Sequence, residues 1–567
     1  MRRNEDLRSP LSGWEPGIVL FLLALSVFGV ALPPSPQGHL LVGIIVTIAF
    51  TAAGMLIFRS AWGGADLPQW EGGVFWIPVT AIFVAIVILK LGMIQFGGFD
   101  HSALIDMGWR LASGQLPYRD FPCTMPPVFY LGAGLAFRCF GTSWWSLVFI
   151  TSLFATVTFV WSWFLLNKAL RNGLLAWLFA LLLQVLTTIL VSYWWYNPVT
   201  TVAATLFFLS AWCLIETPKS NHVWISYILS LSLLTLSKPN VAGLLIIGIG
   251  LVLLLSKVRF IAIYLSLAAA VIILGALFFC GIAPLDILHG YLGVAGRGSS
   301  LDQLFQDSGI LEKVLSSGFL IALLIPWIWV LRHASAARYN SSLWLAMVGV
   351  VSGLYGFLTN GELKLVDVFL IFISTFLGCA LVIKVHQGSK TSLAMSARRW
   401  IAASGVFAII LIGIACAQAI TRHRVEEIGP GKFFEYSLSD QCPSTGFFAN
   451  LQTGKIFQEV YQEVQSVMSQ RGSEAVYFGP RMQWGYAAFG IAPPLHQPAW
   501  WHPGVSFPKK SESSLIAEWA SHRFGLLVFL KNDLVYMSPE FIELLTRNYS
   551  VDQSYPLLTL LRRIQLR

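Results

Sequence analysis

Residues 99–130 read FDHSALIDMGWRLASGQLPYRDFPCTMPPVFY. The chain on either side is apolar enough for a bilayer, but this stretch carries Asp100, His101, Asp106, Arg110, Arg119 and Asp120 and closes on Pro126-Pro127. Ionisable groups beside membrane segments are costly and are usually kept for function. Hydrophobic residues make up 56% of the 567-residue chain and charged residues 11%. A soluble protein has about a quarter charged residues, so the composition predicts an integral membrane protein. The net charge of +9 does not require a nucleic-acid partner, because excess Lys and Arg in a polytopic protein mark its cytoplasmic loops.

Working outward, a spanning helix needs about 20 apolar residues. Gly17–Leu32, His39–Phe58 and Val74–Phe96 qualify, and a cytoplasmic N-terminus then puts the Asp100 loop outside. Val128–Phe140 is short and reads as a helix along the outer membrane surface. Ser143–Leu166 crosses to the basic segment Asn167–Arg171. Gly173–Val191, the aromatic SYWWYN belt at 192–197 and Pro198–Ile215 follow. Val223–Ser237 and Val241–Leu255 form a hairpin tipped by Lys238-Pro239-Asn240, and Phe260–Gly281 leads to a second polar loop, Ile282–Ser317. Gly318–Leu331, Leu343–Leu358, Leu365–Val385 and Trp400–Ile420 complete about thirteen spans, with basic loops falling on the inside. The predicted fold is therefore mainly α: a polytopic transmembrane bundle over 1–420, with outer loops at 97–142 and 282–317. Residues 421–567 hold no spanning run. They alternate amphipathic helix patterns (Gly454–Gln470, Ser511–His522) with strand-like runs (Ala475–Phe478, Gly525–Phe529), which predicts a small α/β domain outside the membrane.

Within the first loop, Ser102–Ala112 has the spacing of a short amphipathic helix, with Leu104, Met107 and Leu111 on one side. Gly114 stops it, Pro117 keeps Leu116 extended, and Pro126-Pro127 starts the next helix. Asp100 falls where a span ends and this helix begins. A carboxylate there can act as general base on an incoming hydroxyl or amine, or hold a divalent metal such as Mg or Mn. Helix caps and surface charges are the plain alternative. No P-loop, dinucleotide fingerprint, nucleophile elbow or metal-ligand spacing occurs. The seven cysteines show no CxxC spacing. Cys123 and Cys442 both fall on the outer side, where a disulfide is chemically possible, though two unpaired thiols are the better reading because sequence fixes no distance.

The residues Asp100, Gly114–Phe121 (GQLPYRDF) and Pro126–Tyr130 (PPVFY) resemble the first extracytoplasmic loop of the GT-C superfamily of membrane glycosyltransferases. The likeness is to the family-39-like branch that includes aminoarabinose and protein mannosyl transferases. It implies an enzyme of the bacterial inner membrane, with cytoplasmic N-terminus and outer C-terminal domain. Such an enzyme moves a hexosyl or pentosyl unit from a polyprenyl-phosphate donor to a lipid, glycan or protein acceptor in the cell envelope. It also implies Asp100 as the catalytic carboxylate and the residue on which any metal would depend, supported by His101 and Asp120. Two departures stand out. His101 replaces the second acidic residue of the family's pair, and Met125 replaces a basic residue that often contacts the carrier phosphate. Lys238, at the hairpin tip, and Arg297, flanked by glycines, are the cations that can take over that contact. Tyr118, Arg119 and Glu362 are further candidates for substrate binding. The rival reading is a transporter or flippase for a lipid-linked substrate, against which stand sparse charges within the spans and no visible internal repeat.

Overall fold

Long apolar runs can satisfy their backbone in a bilayer only as helices, and the chain follows that rule. The computed structural model describes residues 73–93, 96, 99–294, 327–328, 341–359, 368–386, 446–451, 455–531, 537–554 and 558–564. Helix α1 (Gly73–Gly92) precedes the polar stretch, which opens as α2 (Phe99–Ala112) and leads to α3 (Pro127–Phe140) and α4 (Trp144–Leu170). Next come α5 (Gly173–Gln184), ending in a wide π turn at Val185–Ile189, and α6 (Tyr196–Glu216). The hairpin arms are α7 (Asn221–Thr235) and α8 (Pro239–Leu254), followed by α9 (Arg259–Phe279), α10 (Pro284–Gly293), α11 (Ser341–Thr359) and α12 (Val368–His386).

Four helices among the described residues are long and apolar enough to cross a membrane: Phe75–Gly92, Trp144–Leu170, Tyr196–Glu216 and Arg259–Phe279. Five shorter apolar helices accompany them. The spans expected at Gly17–Leu32, His39–Phe58 and Trp400–Ile420, and nearly all of Gly318–Leu331, lie outside the described residues.

The C-terminal unit contains α13 (Lys455–Gln470), β1 (Val476–Phe478), α14 (Trp484–Ala488), α15 (Glu512–Ser521), β2 (Leu526–Leu530), α16 (Pro539–Asn548), β3 (Tyr549–Ser554) and β4 (Leu558–Arg563). Its four strands lie in the order β1-β2-β4-β3. The β1–β2 pair is parallel, with Tyr477 opposite Leu527, and needs the crossover that α15 supplies. The other two pairs are antiparallel. The helix and strand patterns read from residues 454–529 thus become real elements, each boundary moving by a residue or so.

This unit is not a free appendage. Phe448, Phe457, Tyr461 and Trp484 belong to the same buried core as Phe96, Trp144 and the membrane helices. Phe96 packs against the Phe448 ring, tilted at 4.7 Å, and edge-on against Phe457 at 4.8 Å. Burying side chains of this size stabilises by roughly 1.5–3 kcal/mol each. The amide of Trp144 donates to the Phe447 carbonyl, and the Trp145 indole to that of Ala449. A second core, around Trp501, Trp519 and Phe541, lies inside the unit.

Two expectations change here. The helix α2 is not amphipathic at a surface: Leu104, Met107 and Leu111 are buried, and so are Ser102, Asp106 and Arg110 on its polar side. The C-terminal unit covers that side. Nor is SYWWYN a lipid-facing belt, since Tyr193 and Trp194 are buried against the polar stretch. Because the stretch, α10 and the C-terminal unit touch one another, all three must share one side of a membrane, with an even number of crossings between them.

Candidate active site

The site is built on the two turns that follow α2. Gly114, at φ 95°, ends the helix in the left-handed region. The chain then doubles back over Leu116–Phe121. Asp120 N–H donates to the Leu116 carbonyl at 2.9 Å, and Tyr118 N–H donates to the Phe121 carbonyl at 2.8 Å. Tyr118 holds φ 68° in this turn, a conformation that side chains adopt only under constraint. The carboxylate of Asp120 is the constraint. Its Oδ2 accepts from Leu116 N–H at 2.7 Å, and both oxygens take hydrogen bonds from Arg119, at 2.8 and 2.7 Å. The Arg119 guanidinium and the Leu116 amide hold the Asp120 carboxyl below its usual range.

Behind the turn lies a second, fully buried ion pair. Arg110 Nε donates to Asp106 Oδ2 at 2.8 Å, with the two side chains 1% and 0% exposed. The guanidinium also donates to Gln115 Oε1 at 3.0 Å and to the Pro494 carbonyl at 2.9 Å, and lies 5.0 Å over the Phe121 ring. Burial outweighs the arginine and raises the Asp106 carboxyl to about 6. Gln115 reaches the Pro493 carbonyl, the Trp109 indole reaches Ile491 and Thr124 reaches Val505. Ser102 Oγ donates to Gln483 Oε1 and accepts from Trp484 N–H. The segment 483–505 therefore clamps the polar stretch along its length. Sequence reasoning missed this clamp. The only local hint was the helical spacing of Asp106 and Arg110, which suits an ion pair.

His101 is 3% exposed and sits in a box of aromatic rings. Tyr193 meets it edge-on at 4.2 Å, with Trp144 at 5.4 Å, Phe96 at 5.7 Å and Trp195 at 6.1 Å. The adjacent Asp100 is the second residue of α2, so its backbone begins the helix just after α1 ends; its side chain lies outside the described residues. Arg297 and Glu362 lie outside them as well.

Lys238 forms the tip of the α7–α8 hairpin, as its sequence implied, and its amide donates to Thr200 Oγ1 at 3.3 Å. One peptide ties this tip to the Pro-Pro turn. Val128 N–H donates to the Leu236 carbonyl at 2.9 Å, while the Val128 carbonyl accepts from the Trp194 indole at 2.9 Å. The hairpin tip is thus anchored three residues from Met125, where the expected basic residue is missing. The structure brings together Tyr118, Arg119 and Asp120 in one turn and ties Lys238 to the helix that follows it.

Among the described residues, no group of three His, Cys, Asp or Glu side chains forms a metal-binding set. Asp106 and Asp120 are each engaged by an arginine, and the side chain of Asp100, on which any metal would depend, lies outside the described residues. Cys123 is a buried free thiol, and Cys442 lies outside the described residues.

The sequence matches no protein-family model and no curated protein. The structure is similar to that of ArnT from Cupriavidus metallidurans bound to undecaprenyl phosphate, with a TM-score of 0.49 and 11% identity over 88% of this chain and 99% of that one. It is also similar to the oligosaccharyltransferase of Archaeoglobus fulgidus, a complex with Zn and sulfate, with a TM-score of 0.33 and 13% identity over 79% and 67% of the two chains.

Proposed function

We propose that the protein is a membrane glycosyltransferase of GT-C architecture, moving a sugar from a polyprenyl-phosphate donor to an extracytoplasmic acceptor at the bacterial inner membrane. The observation that carries this reading is the Val128 peptide, which joins the PYRDF–PP motif to the hairpin bearing Lys238. The motif lacks its own cation at Met125, and in this reading Lys238 of the neighbouring hairpin takes its place.

In this reading the acceptor hydroxyl or amine gives up its proton to Asp100 at the start of α2. It attacks the anomeric carbon on the face opposite the phosphate, so the configuration inverts. The departing lipid phosphate gathers negative charge, and cations aimed at it lower the barrier most; Lys238 and Arg297 fill that role. The Asp120–Arg119 brace holds Tyr118 in its constrained turn against the substrate. His101, locked among its rings, fixes the first turn of α2 and hence the Asp100 backbone.

The test is transfer of sugar from a polyprenyl-phosphate donor by an Asp100→Asn variant. Loss of a general base lowers the rate by roughly 10²–10⁴-fold, with thermal unfolding unchanged. Full activity in a normally expressed variant would refute the mechanism, and movement of lipid-linked substrate without transfer would favour a transporter.

A further inference from the structure

Next to the Asp120 turn lies a cluster of polar groups of which the mechanism uses only Tyr118. The hydroxyls of Tyr118, Tyr130 and Tyr291 are all buried, and none reaches hydrogen-bond geometry with a partner. The Cys123 thiol completes the group, with a long contact to the Met125 carbonyl at 3.9 Å and Tyr118 beside it. Tyr118 lies against both Tyr130 and Cys123, and Tyr291 is within electrostatic reach of all three. Buried polar atoms are almost always satisfied. Here the phenols meet only one another and the Cys123 thiol, short of good hydrogen-bond geometry, so an added hydroxyl would supply the partner they lack.

Tyr291 differs from the other two in how it is held. It comes from α10, a helix with no buried residue. Its leucines, Leu285, Leu288 and Leu292, are 65%, 49% and 62% exposed and fall on one side at helical spacing. The opposite side carries Gly290, with Tyr291 on the flank between the two. A Cβ at Gly290 would lie 2.7 Å from the Cys123 carbonyl and 3.0 Å from the Tyr118 ring. The helix therefore rests on the polar stretch through a glycine and pushes a single phenol into the cluster. Tyr118 and Tyr130, by contrast, are fixed by the turn and by α3.

We propose that Tyr118, Cys123 and Tyr130 form a subsite for a hydroxyl of an uncharged sugar ring, which the Tyr291 phenol of α10 fills until the ligand displaces it. The inference rests on the glycosyltransferase reading and assigns that site's sugar contact. The lining groups are neutral and can both donate and accept, which suits a hydroxyl. A phosphate there would bury charge without a counter-ion, because the nearby Arg110 is already spent on Asp106. Burial pushes the Cys123 thiol up to about 12, so it stays protonated and reacts slowly while enclosed.

The test uses the full chain in detergent micelles. N-ethylmaleimide labelling is followed residue by residue by peptide mass spectrometry. Exposed Cys139 is the reference, and buried Cys213 and Cys379 report global unfolding. In the wild type Cys123 reacts far more slowly than Cys139. Tyr291→Ala raises the Cys123 rate by about tenfold or more, since access governs thiol reactivity once the pKa is fixed. Tyr291→Phe, which keeps the plug, stays near the wild-type rate. Methyl mannoside at high millimolar concentration slows labelling of the Tyr291→Ala variant, and inorganic phosphate at equal concentration does not. Should Tyr291→Ala expose Cys213 or Cys379, Gly290→Val replaces it. That change lifts α10 with Tyr291 intact and must give the same rise. Unchanged Cys123 labelling in a folded variant overturns the plug, and protection by phosphate alone overturns the sugar assignment. Protection by the glycoside without any sugar transfer would leave the subsite standing and remove the enzyme reading. Transfer without protection would do the reverse.

Discussion

The buried Asp106–Arg110 pair makes a prediction whose two halves respond differently to pH. Arg110→Met leaves a carboxyl with 0% exposure and no cation. That carboxyl cannot stay ionised, so at pH 7 it takes up a proton that an unfolded aspartate, with a pKa near 3.9, has lost. Keeping it protonated costs about 4 kcal/mol at pH 7 and about 1.5 kcal/mol at pH 5, at ~1.4 kcal/mol per unit. Wild type, with the Asp106 carboxyl at about 6, already bears about 3 kcal/mol of the former and nearly all of the latter. The net proton cost of the variant is therefore about 1 kcal/mol at pH 7 and close to nil at pH 5. Asp106→Asn instead strands the guanidinium, which does not titrate, so this site gives the variant's own stability no pH dependence. Its cost against wild type is roughly 3–5 kcal/mol at pH 5 and shrinks by about 1 kcal/mol at pH 7, where wild type has itself weakened. The wild type has a milder dependence of its own. The Asp106 carboxyl is raised from 3.8 to about 6. Its contribution is therefore complete below the unfolded value and is lost as pH rises through 6, by about 3 kcal/mol. Pulse proteolysis in a urea series at pH 5 and 7 reads all three proteins. Equal pH dependence in the two variants' own stabilities, or a cost below about 1 kcal/mol for Asp106→Asn at pH 5, would refute the buried-pair reasoning.

The other expectations can be checked in similar preparations. Lys238→Met should raise KM for the polyprenyl-phosphate donor more than it lowers kcat, with Lys238→Arg retaining part of the affinity; equal kinetics in all three proteins would remove Lys238 from the donor site. Gly132→Leu should lower the unfolding midpoint by the equivalent of about 1–3 kcal/mol, because a Cβ there would sit 2.1 Å from the Trp194 ring. Asp120→Asn should cost about 1 kcal/mol at neutral pH. The depressed carboxyl of Asp120 contributes above its unfolded pKa, and that contribution is lost as pH falls through the folded value, so variant and wild type should converge in strong acid.

What could be read beforehand divides along contact range. The hairpin tip at Lys238, the helix stop at Gly114 and the elements of residues 454–529 all follow from neighbours a few positions apart, and the structure has each of them. The helix containing Asp106 was visible too, but its setting was not. The groups that bury Arg110 are carbonyls near residue 494, and a carbonyl leaves no mark in a sequence. For the same reason SYWWYN looked like an interface belt. Tyr and Trp suit a lipid headgroup layer and a buried polar junction equally well, and only the hydrogen bond from Trp194 to Val128 decides between them. Tyr291 and Cys123 carried no motif at all; they matter because two loops meet.

The Arg110–Pro494 hydrogen bond joins residues 384 positions apart. During synthesis, at roughly 5–20 residues per second, the first of these waits on the order of half a minute for the second. Throughout that interval Asp106 and Arg110 remain in water and the turn at Tyr118 lacks its cover. A ribosome-bound or truncated chain can insert every helix up to α12 and still lack a finished pocket. Completion of the last stretch of polypeptide is then what closes the polar stretch, and a nascent chain stalled before residue 483 lacks every group that buries Arg110 from that side.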